Sequence, residues 1–201
     1  MPSLTKNPRV ALTIGEMKSL ASLAALFVVA LSHAVPATPP TAEKLVGDAR
    51  LKAGREGKNV MVIFHASWCG WCKRLDAMLA DREIRPEFER SYVIVHLDVQ
   101  ERGEKEALEN PGGEEMMAAL GGKDAGLPFF AVLDPKGKTL ATSLQKDGDA
   151  STNTGFPSAP AEVAHFQSIL KATAPKMSAA TRARIEAYPA KNAPAAHPAG
   201  L

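Results

Sequence analysis

The segment Asn59-Val-Met-Val-Ile-Phe-His-Ala-Ser-Trp-Cys-Gly-Trp-Cys72 decides the fold class. Its first seven residues form a continuous apolar run rich in branched side chains, which is typical of a strand covered on both faces. The two cysteines follow at once, and the pattern from Cys72 through Leu79 is helical. We therefore expect a buried strand, a short turn that carries Cys69, and a helix that begins at the cysteine pair.

The flanking patterns extend this unit into a layered domain. Strands are predicted over 59–65, 92–99, 129–133 and 139–144, the second again of the buried type, and the turn signal Asp134-Pro135-Lys136-Gly137 joins the last two as a hairpin. Helices are predicted over 41–54, 72–79, 81–88, 114–120, 161–172 and 178–188. This order predicts an α/β fold in which a mixed central sheet of four or five strands is flanked by helices.

Several local expectations accompany this assignment. Thr41 is the expected cap of the first helix, whose apolar positions are Leu45, Val46, Ala49 and Leu51. The charged stretch 101–110 is expected to be exposed, and 146–160 is expected to be a polar loop.

The N-terminus has the pattern of an export signal. Lys6, Arg9 and Lys18 precede an apolar run over 20–31, and small residues allow cleavage after Ala34 or after Ala37. The alternative is a retained anchor, but the run is shorter than the roughly 20 residues that a spanning helix needs. The predicted organisation is a cleavable signal over 1–34, a linker over 35–40, a globular domain over 41–174, and a short helix with a disordered tail over 175–201.

This organisation predicts an exported protein, periplasmic in a bacterium, with secretion as the alternative and with membrane contact only through an uncleaved signal. The signal holds three basic residues and one acidic residue, so the 24 basic and 22 acidic residues of the whole chain become 21 and 21. A mature chain without excess positive charge lacks the electrostatic footprint of a nucleic-acid-binding protein.

The chain has two cysteines, and both lie in one Cys-x-x-Cys motif. At a helix N-terminus, free backbone N–H groups and the helix dipole stabilise a thiolate, which makes Cys69 the expected nucleophile. Cys72, one turn further and more buried, would then resolve the mixed disulfide by attacking Cys69. Copper or zinc binding and an inert pair are the alternatives. A zinc site needs four ligands and haem attachment needs a histidine at position 73, where the sequence has lysine.

The run from Phe64 through Lys73 resembles the signature of the thioredoxin superfamily, and the resemblance covers roughly Thr41 to Ala174. It implies a thioredoxin-like fold in which Pro128 is the cis-proline. It also implies that Leu127 and Pro128 pack beside the disulfide and that their backbone pairs with the substrate chain. We predict no cofactor other than the redox-active cysteine pair itself, and no metal ligand.

Three features depart from the family pattern, one of which is the absence of the helix proline that the family has a few residues after the cysteines. Ile63 stands where the family keeps a buried carboxylate, and Trp71 replaces the usual proline between the cysteines. The substitution at Ile63 removes the usual proton acceptor for the resolving thiol. His65 and His96, at the ends of adjacent predicted strands, are candidate substitutes, and the alternative is that they only cap strand ends.

These features predict an exported thiol–disulfide oxidoreductase that reduces or isomerises disulfides in exported proteins. Its predicted substrate-binding residues in the motif are Trp68, Gly70 and Trp71, whose indoles would form a flat apolar rim for an extended polypeptide. The expected partners are exported proteins with cysteines and a membrane thiol reductant. The alternatives are a dithiol oxidant, a module that handles copper or zinc, and a binding or chaperone domain built on the segments 100–126 and 146–160.

Overall fold

The computed structural model describes residues 38–147 and 150–192. The predicted signal over 1–34 and the end of the predicted tail lie outside the described residues. The helices are α1 (Ala42–Glu56), α2 (Gly70–Leu79), α3 (Arg85–Ser91), α4 (Gly113–Ala119), α5 (Pro160–Thr173) and α6 (Ala179–Lys191), with a 3₁₀ helix over Gly103–Leu108. The strands are β1 (Asn59–His65), β2 (Tyr92–Asp98), β3 (Phe129–Leu133), β4 (Thr139–Thr142), β5 (Leu144–Asp147) and β6 (Ala150–Asn153).

The central sheet is mixed and has the strand order β2-β1-β3-β4. β1 pairs in parallel with β2, antiparallel with β3, and β3 pairs antiparallel with β4. The β1–β2 connection runs through α2 and α3, as expected for a parallel pair that needs a helical crossover. The predicted α/β fold with a mixed four-stranded sheet is confirmed.

Two large hydrophobic cores lie against the central sheet. Because side chains alternate along a strand, β1 and β3 contribute residues to both cores. Met61 and Ile63 of β1 point into the first core, together with Phe130 and Val132 of β3. The alternate residues of both strands point into the second core, which α1 covers: Val60, Val62, Phe64, Phe129, Ala131 and Leu133. The two central strands are therefore covered on both faces, and the turn that follows β1 starts from a rigid support.

α1 begins after the predicted cap Thr41 but ends at Glu56, two residues beyond its predicted end at Gly54. The Thr41 hydroxyl accepts a hydrogen bond from the backbone N–H of Lys44 at 3.2 Å, which satisfies one of the free donors of the first turn. Gly57, with φ 65°, adopts the left-handed conformation that closes the last turn. The prediction for Leu51 was wrong, since it is 65% exposed. The buried face is the alanine-rich stripe at Ala42, Val46, Ala49 and Ala53.

Three other boundaries and environments differ from the predictions. β2 was predicted as a buried strand, but it is an edge strand in which only Tyr92 and Leu97 are buried. α3 begins at Arg85 rather than at Asp81, because a turn occupies 81–84. The predicted strand over 139–144 ends at Thr142, and the predicted loop over 146–160 contains part of a second sheet, the β5–β6 hairpin.

Ser143 is the reason for the break between β4 and β5. Its backbone N–H donates to the Phe130 carbonyl, and its hydroxyl accepts from the Phe130 N–H at 3.0 Å. Its own carbonyl accepts from the Thr154 N–H. One buried serine thus ends the pairing of β4 with β3 and starts the second sheet, which a pattern of apolar residues cannot show.

α6 packs on the first core. Met177 and Ile185, in the segment predicted as a short helix with a tail, are buried there beside α5. Within the described residues, the structure has no helix with the length and apolar character required for a membrane span.

Candidate active site

The cysteine pair lies at the junction of β1 and α2. Cys69 is the residue that caps α2, and its sulfur accepts a hydrogen bond from the backbone N–H of Cys72 at 3.0 Å. The sulfur therefore already occupies the position at which a free N–H of the first turn and the helix dipole would stabilise a thiolate. This arrangement matches the one predicted from the motif.

Cys69 and Cys72 form a disulfide with Cα atoms 5.3 Å apart. Both residues are almost fully covered, with 3% and 2% of their surfaces exposed. The expected difference in burial between the nucleophile and the resolving cysteine is therefore absent in the disulfide form. Ala66 and Leu127 pack against the pair and complete its apolar surroundings.

Both tryptophans of the motif are exposed. Trp68 is 42% exposed and Trp71 is 49% exposed, so both are available to form the predicted rim. Each indole also has a fixed neighbour on one side. The Arg102 guanidinium lies 4.0 Å from the centre of the Trp68 ring, and Arg74 lies 4.9 Å from that of Trp71. The rim combines apolar surface with positive charge, which favours a thiolate at Cys69.

The loop before β3 faces the same site. The Leu127–Pro128 peptide bond is cis, Pro128 is buried and Leu127 is half-buried against the cysteines. Gly126, Leu127 and Pro128 line a groove together with Trp71. The structure thus brings together the substrate-binding residues predicted from the motif and from the proline loop.

The end of β6 and the residues after it also line this groove. The Asn153 side-chain amide donates to the carbonyls of Gly126 and Pro128, the latter at 2.9 Å. Phe156 stacks on Trp71 with ring centres 6.0 Å apart. Gly155, with φ 53°, lies so close to the Pro128 carbonyl that a Cβ atom there would meet the oxygen at 2.8 Å. The segment predicted as a loop therefore covers one side of the site.

Glu101 lies on the other side of the motif. It was predicted to be exposed within the charged stretch 101–110, but only 7% of its surface is exposed. Its carboxylate accepts hydrogen bonds from the backbone N–H of Ser67 at 2.6 Å and from the Ser67 hydroxyl at 2.8 Å. Burial by itself would raise the pKa of Glu101, but these hydrogen bonds and the charge of Lys105 outweigh it and keep the pKa below its ordinary value.

Comparison with known proteins agrees with this geometry. Residues 41–135, a little under half of the chain, match a family described as thioredoxin-like. Residues 41–135 are therefore similar to a thioredoxin-like domain. A thioredoxin-like domain with a Cys-x-x-Cys disulfide at the first turn of α2 has the arrangement of a thiol–disulfide oxidoreductase site.

Solved structures resemble the thioredoxin-like domain at low identity. A disulphide isomerase from Xylella fastidiosa Temecula1 is 22% identical, over 75% of this chain and 89% of that one, with a TM-score of 0.44. The DsbH oxidoreductase is 22% identical, over 70% and 92%, with a TM-score of 0.41. The oxidised C-terminal domain of DsbD from Neisseria meningitidis is 21% identical, over 53% and 84%, with a TM-score of 0.39.

The two candidate proton-transfer histidines, His65 and His96, lie side by side across β1 and β2, with ring centres 5.0 Å apart. His65 Nε2 is 3.2 Å from a carboxylate oxygen of Asp98, and His96 Nε2 makes a 2.9 Å hydrogen bond with Asp76. Burial lowers the pKa of His65 and outweighs the attraction of Asp98, so the ring is neutral at neutral pH.

Within 38–147 and 150–192, neither histidine ring hydrogen-bonds to a cysteine sulfur. The role of His65 and His96 in proton transfer stays a prediction. Among the same residues, no cluster of three or more histidine, cysteine or acidic side chains is arranged to hold a metal ion.

Sequence reasoning missed Glu101, Asn153 and Phe156. Phe156 had a usable signal, since it is a lone aromatic residue in an otherwise polar stretch, and such a residue needs apolar surface to cover it. Glu101 and Asn153 had none, because each acts on a residue more than twenty positions away in the chain.

Proposed function

We propose that this thioredoxin-like protein is exported and that it reduces or isomerises disulfides in exported proteins. The observation that carries the proposal is the Cys69–Cys72 disulfide at the first turn of α2, where the Cys69 sulfur accepts the Cys72 N–H. A sulfur in this position is the one that leaves as a stabilised thiolate when the disulfide opens. The export signal over 1–34 supports an oxidising compartment as the place of action.

The proposed reaction has two exchange steps. In the dithiol form, the Cys69 thiolate attacks one sulfur of a substrate disulfide, which forms a mixed disulfide and releases the other substrate sulfur as a thiolate. The Cys72 thiolate then attacks Cys69, which restores the Cys69–Cys72 disulfide and releases the second substrate thiolate. Two electrons pass to the substrate, whose thiolates each take up one proton. In isomerisation, a substrate thiolate attacks the mixed disulfide instead, and Cys69 leaves unchanged.

The surroundings of the disulfide suit a polypeptide substrate. Trp68 and Trp71, which flank Cys69 in the sequence, present exposed apolar surface. Trp71 also lines the groove with Pro128 and Leu127, and Leu127 packs against the cysteines. An extended chain can place its cysteine over Cys69 while its neighbouring side chains contact the rim.

We propose that the dithiol form is restored by a membrane thiol reductant, because the exported compartment is oxidising and the reduction consumes two electrons per cycle.

The test is trapping in cells. Cys72→Ser removes the resolving thiol, so mixed disulfides between Cys69 and its substrates should accumulate on non-reducing gels and be identified by mass spectrometry. Cys69→Ser is the matched control and should trap nothing. Absence of trapped species with Cys72→Ser, together with slow alkylation of Cys69 at neutral pH, would contradict thiol–disulfide exchange.

The direction of the redox reaction and the binding of copper or zinc are tested by separate measurements. Equilibration with glutathione gives the reduction potential. A value near that of thioredoxin, about −270 mV, supports a reductant, and one near −120 mV supports the dithiol oxidant instead. Stoichiometric copper or zinc in the purified protein, lost in Cys69→Ser, would favour the metal-handling alternative.

Export is tested on the full chain in its own host. N-terminal sequencing of the protein recovered from the cell envelope should begin at Val35, after the first predicted cleavage site, or at Thr38, after the second. Recovery of the intact N-terminus in the cytosolic fraction would contradict the proposed location.

A further inference from the structure

Three consecutive residues hold the loop that precedes the nucleophile. The Gln100 carbonyl accepts a hydrogen bond from the Trp68 indole N–H at 2.6 Å, and the Glu101 carboxylate accepts two from Ser67. The Arg102 guanidinium lies over the Trp68 ring. The segment 100–102 follows β2 and is more than thirty residues from Ser67 and Trp68 in the chain. It is therefore a tertiary support of the loop and not a part of its local structure.

The backbone at Gln100 is shaped for these contacts. Gln100 has φ 54°, and within the described residues it is the one non-glycine residue in the left-handed region. A side chain in that region strains the backbone, so this conformation persists only where the surrounding structure holds it. Here the turn aims the Gln100 carbonyl at Trp68 and places the next side chain, Glu101, against Ser67.

The charge of Glu101 is retained despite its burial. The Glu101 carboxylate accepts hydrogen bonds from the Ser67 N–H and the Ser67 hydroxyl. The positive charge of Lys105 is also near, since its Nζ lies 3.0 Å from that hydroxyl. The Glu101 N–H in turn donates to Glu109 at 2.6 Å. A covered carboxylate with this set of partners is stable as an anion, and it lies against a residue two positions before Cys69.

A negative charge held on Ser67, two residues before Cys69, opposes the thiolate that forms at Cys69 on reduction. Buried charges interact more strongly than exposed ones, because water screens them less. We propose that Glu101 is a positioning residue of the thiol–disulfide site, which holds the loop before Cys69 through Ser67 and by its charge makes the Cys69–Cys72 disulfide less oxidising. This inference rests on the proposed exchange activity.

Substitutions at Glu101 and at Ser67 are expected to change the thiol pKa of Cys69 in opposite directions. A loss of local structure would not produce opposite changes. Glu101→Gln keeps the size of the side chain but removes the charge, so the thiol pKa of Cys69 should fall. Ser67→Ala keeps the charge but removes one hydrogen bond that offsets it, so the thiol pKa of Cys69 should rise. Local disorder would shift both variants in the same direction.

The experiment measures the equilibrium in which the protein disulfide and two glutathione thiols give the protein dithiol and one glutathione disulfide. Glu101→Gln should favour the dithiol about tenfold, which is about 30 mV for this two-electron couple. Ser67→Ala should disfavour the dithiol. Alkylation rate against pH gives the thiol pKa of Cys69 in each variant. Glu104→Gln, an exposed acid in the 3₁₀ helix, is the control for net charge.

The outcomes separate the inference from the proposed function. If the wild-type protein neither equilibrates with glutathione nor reduces a protein disulfide, the proposed function fails. If the wild-type protein exchanges but Glu101→Gln equals Glu104→Gln in both readouts, or shifts in the same direction as Ser67→Ala, the inference alone fails. Should Glu101→Gln not fold, an unchanged thiol pKa in folded Ser67→Ala overturns the inference.

Discussion

His65 lies at the carboxyl end of β1, next to the turn that carries the cysteines, and its ring is half-buried between β2 and α2. Because burial lowers its pKa, the folded protein binds a proton at His65 less readily than the unfolded chain does. The favourable contribution of the neutral ring is complete above the ordinary histidine pKa of 6.5 and is lost as the pH falls through the lower folded value.

We therefore expect the free energy of unfolding to fall more steeply with acidification in the wild type than in His65→Gln. The measurement is urea denaturation at intervals from pH 7.5 to pH 5, with Cys69–Cys72 kept oxidised. His165→Gln, on α5, where the ring contacts the Thr142 carbonyl, controls for the loss of a histidine elsewhere. Parallel curves for the wild type and His65→Gln would contradict the assigned pKa direction.

Element boundaries in this domain are set by local features such as capping residues. Two glycines distinguish such local effects from the effect of tertiary packing. Gly47 lies inside α1, and a Cβ atom there would meet no atom within 4 Å. Gly122 follows α4, and a Cβ atom there would lie 2.7 Å from the Phe129 ring and 3.0 Å from Met117. The first glycine only weakens its helix, whereas the second makes room for an aromatic side chain of β3.

Gly47→Ala should raise the free energy of unfolding by roughly 0.5–1 kcal/mol, because alanine restricts the unfolded chain and suits a helix interior. Gly122→Ala should lower it by about 1–3 kcal/mol through overpacking against Phe129. Both are measured by chemical denaturation of the oxidised protein. Equal effects of the two substitutions would show that packing around Gly122 relaxes freely.

At the scale of the whole molecule, the chain after α5 completes the first core. Ile185 of α6 and Met177 before it are buried in the cluster that contains Phe166 of α5. The Gln167 side chain also donates to the Arg182 carbonyl at 2.9 Å, which ties α6 to α5 by a polar contact. The stability of the domain thus depends on a segment beyond the thioredoxin-like match.

Ile185→Ala should lower the free energy of unfolding by about 2–5 kcal/mol, the usual effect of truncating a buried branched side chain. Arg184→Ala, one residue away, removes only an exposed ion pair with Glu83 and should cost less than about 1 kcal/mol. Thermal unfolding of the two variants compares them directly. A small effect of Ile185→Ala would mean that α6 is not held on the core in solution.

Local patterns were sufficient for the central part of the fold. The bounds of β1 and β3 agree with the predicted ones, and α2 begins next to the cysteine pair. Continuous apolar runs and a helix-capping residue are properties of neighbouring residues, so the sequence records them directly. The same patterns wrongly predicted β2 as a buried strand, because an edge strand of apolar residues has the same sequence pattern as a central strand.

The amino-acid sequence by itself determined the α/β order, the position of Cys69 at a helix N-terminus and the joint presence of the cysteine motif with Pro128, since each depends on a short stretch of chain. Only the tertiary structure decided that Glu101 is covered by the Ser67 loop and that Asn153 and Phe156 close one side of the groove. Burial and pKa depend on which distant element packs against a residue, and that information is not contained in the pattern of the residue's neighbours.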